Sequence, residues 1–81
     1  MIRISPEARK QLDSLPRAIQ GRMDQLVERL KKWPNVSGAK PLRGQLAGHY
    51  RLRTGDFRLQ FVVIGQDIWI EQIGHRDGFY D

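Results

Sequence analysis

No cysteine occurs among the 81 residues, which excludes disulfide staples and thiolate metal sites. Only two histidines are present, His49 and His75, and their spacing suggests no metal pair. The longest apolar run, Phe61 to Ile64, is far short of the ~20 residues needed to span a bilayer. No apolar stretch follows Met1-Ile2-Arg3, so no secretory signal is visible and a cytoplasmic protein without membrane contact is expected. Phosphate loops and hydrolase elbows are missing too: Gly44-Gln45-Leu46-Ala47-Gly48 lacks the first pattern, and nothing matches the second. At this length there is room for one domain, residues 1–81, with one modest core, which excludes a two-domain enzyme built around a large cofactor cleft.

Acidic residues are also scarce. Nine Asp and Glu stand against 14 Lys and Arg, a net charge of +5, and ten of the basic residues are arginine. Excess positive charge favours a polyanionic partner, and the planar guanidinium fork suits phosphate because it binds two oxygens at once. A GC-rich coding sequence enriches arginine as well, so composition alone leaves both explanations open.

The chain organises into a helical half and a strand half. Ile2-Arg3-Ile4 alternates as a short strand. Ser5-Pro6-Glu7 then has the cap, the first-turn proline and the acidic residue that open a helix, predicted over about Pro6 to Ser14. A second helix, with Pro16 in its first turn, is predicted to about Lys32. Its stripe of Ile19, Met23, Leu26, Leu30 and Trp33 recurs at helical spacing and reads as core. Asn35 to Ala47 reads as a loop. From Gly48 the period becomes two: Tyr50 and Leu52 alternate with Arg51 and Arg53, and Phe57, Leu59, Phe61 and Val63 alternate with Arg58 and Gln60. Ile68 to Ile73 forms a third strand, and Gly74 opens a tail. Turns at Thr54-Gly55-Asp56 and Gly65-Gln66-Asp67 join the three strands into an antiparallel meander, which two helices cover on one face.

Register decides where the chemistry sits. An even-numbered turn after Arg53 puts Arg58 and Gln60 on the face of Arg51 and Arg53, with Leu52, Leu59 and Phe61 against the helices. A three-residue turn with a bulge at Gly55 competes with this arrangement. Adjacent like charges on a sheet repel, so an arginine cluster of this kind points to an anion that several guanidiniums surround. The alternative is a set of solvated side chains paired with Asp67, Glu71 or Asp77. The tail adds Arg76 and Tyr80, the latter able to donate a proton or stack on a base. His49 and His75 are the only imidazoles available for acid–base work.

Three segments in this order, Lys40-Pro41-Leu42-Arg43-Gly44, Tyr50-Arg51-Leu52-Arg53-Thr54-Gly55-Asp56-Phe57-Arg58 and Ile73-Gly74-His75-Arg76-Asp77-Gly78-Phe79-Tyr80, resemble the RelE/ParE superfamily of toxins from type II toxin–antitoxin systems. The resemblance spans almost the whole chain. It implies an α+β fold with two N-terminal helices on one face of a small, mostly antiparallel four-stranded sheet, in the order β-α-α-β-β-β. For the RelE branch it implies a metal-independent endoribonuclease, an mRNA interferase acting in the ribosomal A site, in which the 2′-hydroxyl attacks the adjacent phosphate. Its partners would be a cognate antitoxin, the ribosome and mRNA, with no cofactor or metal. Carried over by motif, the catalytic residues would be Arg51, Arg53, Arg58, Arg76 and Tyr80, and RNA or ribosome contacts would come from Lys40, Arg43 and His75. The RelE pattern has lysines where Arg51 and Arg53 stand; arginine stabilises charge but is a poor base, so the base is left open between a histidine and a ribosomal group. Of the two histidines, His75 is favoured because it adjoins Arg76. The ParE branch implies instead a DNA gyrase inhibitor, and a decayed member would bind only its antitoxin.

Overall fold

The structure, a computed structural model, describes residues 1–78. It consists of β1 (Ile2–Ile4), α1 (Pro6–Asp13), α2 (Arg17–Leu30), β2 (Lys40–Pro41), β3 (His49–Thr54), β4 (Phe57–Ile64) and β5 (Asp67–His75), with single 3₁₀ turns at Gly44–Leu46 and Arg76–Gly78. The strands form one sheet in the order β1-β5-β4-β3-β2. β1 pairs parallel with β5, and every other pair is antiparallel. The α+β class and the helix-then-meander order are as expected. The sheet has a fifth strand because Lys40 and Pro41, read as loop, pair with Arg51 and Tyr50 of β3.

Each helix end has a local cause. Ser5 caps α1 by accepting from the Ala8 amide at 3.0 Å, and Pro6 occupies its first position. Pro16 is the residue before α2 rather than a member of its first turn. α2 ends at Leu30, short of Lys32, and the chain continues through tight turns to Trp33 and Pro34. Met23, Leu26 and Leu30 carry the stripe into the core, where they meet Leu52, Leu59, Phe61, Ile68, Ile70 and Ile73. Trp33 closes the end of that core, edge-on to both Tyr50 and Phe61 at 4.8 and 5.4 Å between ring centres.

The β3–β4 turn settles the register. Thr54 pairs with Phe57, so two residues form the turn, and Gly55 at φ +59° occupies its first central position, as a type II′ turn requires. The bulged three-residue alternative is not the one adopted. A bulge does occur, but in β5: Gln60 faces Gln72 and Phe61 faces Ile70, leaving Glu71 as an extra residue. This is how Ile70 and Ile73, an odd number apart, both enter the core. β5 also runs on through Gly74 and His75, which were expected in the tail. Among the described residues no helix is long and apolar enough to cross a membrane.

Candidate functional site

The sheet has one face under the helices and one polar face. Because directly opposed residues share a face, Arg51 opposite Gln60 and Arg53 opposite Arg58 put three guanidiniums on the polar side, as the even turn demands. β2 adds Lys40, paired with Arg51. Among the described residues, Gly38, Lys40, Arg51 and Arg53 line a cavity of about 150 Å³, and all three of the side chains beyond glycine are cationic. A larger cavity of about 430 Å³ lies between β1 and the end of α2; among the described residues Lys31 and the Met1 terminus are its only charged borders, and none of the expected site residues lines it.

These arginines are not a fully solvated row. Arg51 and Arg58 are only 5% and 6% exposed, and Gln60 between them is buried as well. Burial first, and then the neighbouring charges of Arg58 and Arg53, lowers the Arg51 guanidinium below its ordinary value. Three of the local carboxylates have definite partners on other groups. Asp67 pairs with the Met1 amino group at 3.2 Å and lies 3.9 Å from Arg3; Asp77 sits beside His75 and Arg76; Glu71 is bound by His49 and Gln60.

Arg76 joins the cluster through the backbone. Its amide donates to the Asp56 carbonyl at 2.8 Å, tying the end of β5 to the β3–β4 turn, and its guanidinium lies 3.9 Å from the Asp56 carboxylate. Asp56 therefore faces Arg76. Gln72 donates to the Gly78 carbonyl at 3.3 Å, so the 3₁₀ turn folds back beside the polar face. Tyr80 lies outside the described residues.

Two expected contact residues are placed elsewhere. His75 pairs with Phe57 and stands edge-on to its ring at 5.4 Å, which puts the imidazole on the helix-covered face rather than beside the guanidiniums. Arg43 is exposed beyond β2, next to the 3₁₀ turn, and does not border the cationic cavity. Sequence reasoning placed Gln60 on this face and took Glu71 only as a partner for the arginines; what it missed is the pairing of Glu71 with His49. The signal for it was the odd spacing between Ile70 and Ile73 inside a period-two strand, which requires a bulge.

Two helices on one face of a meander sheet, with guanidiniums gathered on the other, define a small α+β fold. The chain matches the family described as the ParE toxin of type II toxin–antitoxin systems, parDE, over residues 2–78, and it belongs to that family within the RelE/ParE superfamily. Its fold is that of a chain in the RelBE2 toxin–antitoxin complex from Mycobacterium tuberculosis, with 29% identity and a TM-score of 0.81 over 94% of this chain and 90% of that one. A chain of the archaeal RelE–RelB complex from Pyrococcus horikoshii is 27% identical, with a TM-score of 0.73 over 93% and 92% of the two chains. The isolated E. coli RelE toxin shares the fold at a TM-score of 0.78 and 18% identity, over 93% of this chain and 82% of that one. No curated protein matches in sequence.

Proposed function

We propose that this toxin cuts mRNA on the ribosome without a metal and is held inactive by a cognate antitoxin that covers the arginine face. The carrying observation is the convergence of Lys40, Arg51 and Arg53 on one small cavity, with Arg58 directly opposite Arg53. Cations set side by side at a cost in stability are suited to an RNA phosphate, whose charge grows as the 2′-oxygen attacks. Arg51, Arg53 and Arg58 would neutralise the phosphate oxygens. Arg76 would approach from the end of β5, and Tyr80 would supply a proton or stack on a base. Lys40 would hold the neighbouring backbone. Arg43 and His75, placed apart from this cavity, would serve at most the ribosomal surface. Ribosomes place this work in the cytoplasm, and the antitoxin reading is supported by relatives whose solved structures are toxin–antitoxin complexes.

The test is to add purified protein to a translating lysate and map mRNA ends. Cleavage that requires ribosomes and is lost in the double variant Arg76→Ala, Tyr80→Phe is the expected outcome. A second reading, gyrase inhibition, is favoured by the ParE character of the matching family. Intact mRNA together with inhibited DNA supercoiling would replace the first reading with the second. Neither effect, with antitoxin binding retained, would leave a decayed member.

A further inference from the structure

His49, Glu71 and Gln60 form a hydrogen-bonded set on the arginine face that phosphate binding does not use. We infer that His49, held by Glu71, is the group that accepts the 2′-hydroxyl proton; this assignment rests on the mRNA-cleavage reading above.

The β5 bulge builds the set. It turns both Glu71 and Gln72 away from the core, and α1 secures it from behind: Ser5 Oγ donates to the Glu71 carbonyl at 3.1 Å, and the Ile73 amide donates to Gln11 Oε1 at 2.7 Å. Bulges are a recurrent means of re-aiming a side chain beside a site. In front, Glu71 Oε2 accepts from Gln60 Nε2 at 2.9 Å and from His49 Nδ1 at 2.6 Å. A carboxylate only accepts, so Nδ1 carries a proton, and in the neutral ring Nε2 is then the accepting nitrogen. The carboxylate fixes that tautomer and stabilises the imidazolium once formed, the division of labour seen in carboxylate–histidine pairs that serve nucleophiles.

Placement supports the role. His49 lies two residues from Arg51 on β3, hence on the same face. Among the described residues, the charged groups on its face are Lys40 on β2, Arg51 and Arg53 on β3, Arg58 on β4 and Glu71 on β5, with Asp67 and Arg3 farther off at the β1 side. The preceding 3₁₀ turn, Gly44–Leu46, brings no titratable group. The arginines cannot take a proton, and His75 is on the opposite face against Phe57. In the step, the 2′-hydroxyl proton passes to His49 Nε2, the 2′-oxygen bonds to the adjacent phosphorus, and the P–O5′ bond breaks. The departing 5′-oxygen takes a proton from Tyr80 or water, leaving a 2′,3′-cyclic phosphate and a 5′-hydroxyl.

The test is single-turnover cleavage of ribosome-bound mRNA across a pH series. Wild type is expected to slow toward acid pH, as general-base catalysis requires. His49→Ala is expected to lose about 10²–10⁴-fold and that acid-side fall, and to regain rate with added imidazole. Glu71→Gln, which keeps a hydrogen-bonding group but not the charge, is expected to lose up to about 10⁴-fold. Should alanine unfold the chain by circular dichroism, His49→Gln carries the same test through its pH profile. A folded His49 variant that cleaves at the wild-type rate with the wild-type profile overturns this assignment and leaves mRNA cleavage standing, as does a slow one that imidazole does not restore. Wild type that cleaves no mRNA overturns both.

Discussion

The directly opposed pair Arg53 and Arg58 is the clearest energetic signature at the residue scale. Like charges facing each other across an antiparallel pair destabilise it, by roughly 0.2–1 kcal/mol on the scale of cross-strand pairs. Arg51 adds to the strain: its charged form is disfavoured by burial and by both neighbours. Because the folded state lowers this basic group, the cost is carried at every pH below the lowered value, neutral pH included. It is shed only as pH rises through that value. Arg53→Gln is therefore expected to raise the unfolding free energy by about 0.2–1 kcal/mol while reducing mRNA cleavage. A urea titration reads the first as a higher midpoint at unchanged slope. A lower midpoint would mean that attraction, not repulsion, dominates around Arg53.

At the scale of elements, much was legible and the omissions have causes. The α2 stripe and the period-two strands announce themselves because burial on one side imposes a period, and Gly55 and Gly65 mark turns because both adopt positive φ. β2 was not legible: two residues, one a proline, carry no period, and only pairing with β3 makes them a strand. Nor was the burial of Arg51 and Arg58, since alternation assigns a face but not what covers it. The partner of His49 was hidden for a related reason, as Glu71 reaches it only through a bulge. That bulge yields a prediction of its own. Deleting Glu71 leaves Ile70, Gln72 and Ile73 in plain alternation against Phe61, Gln60 and Leu59, so the ladder closes without a slip. The variant is expected to fold with a loss of roughly 1–3 kcal/mol for the two α1 hydrogen bonds, and to lose mRNA cleavage with the carboxylate. Circular dichroism and urea unfolding measure the first, and ribosome-bound cleavage the second. A deletion that unfolds would show that the bulge serves the fold itself.

For the molecule as a whole, the +5 charge is distributed unevenly. The helices carry mixed signs, whereas the polar sheet face collects Lys40, Arg51 and Arg53 around one cavity, with Arg58 directly opposite Arg53. A uniformly basic surface would attract RNA diffusely; a cluster engages a fixed number of phosphates and releases a fixed number of counterions. If these four cations each meet one phosphate of a single strand, the logarithm of the binding constant should fall against the logarithm of salt with a slope of about −3. Arg53→Gln should flatten that slope by about 0.7, because one phosphate contact is gone. Fluorescence anisotropy of a short single-stranded RNA over a salt series measures both quantities. Weaker binding with an unchanged slope would mean that Arg53 shapes the site without touching phosphate. A slope unaltered in both Arg53→Gln and Lys40→Gln would move the RNA off this face altogether.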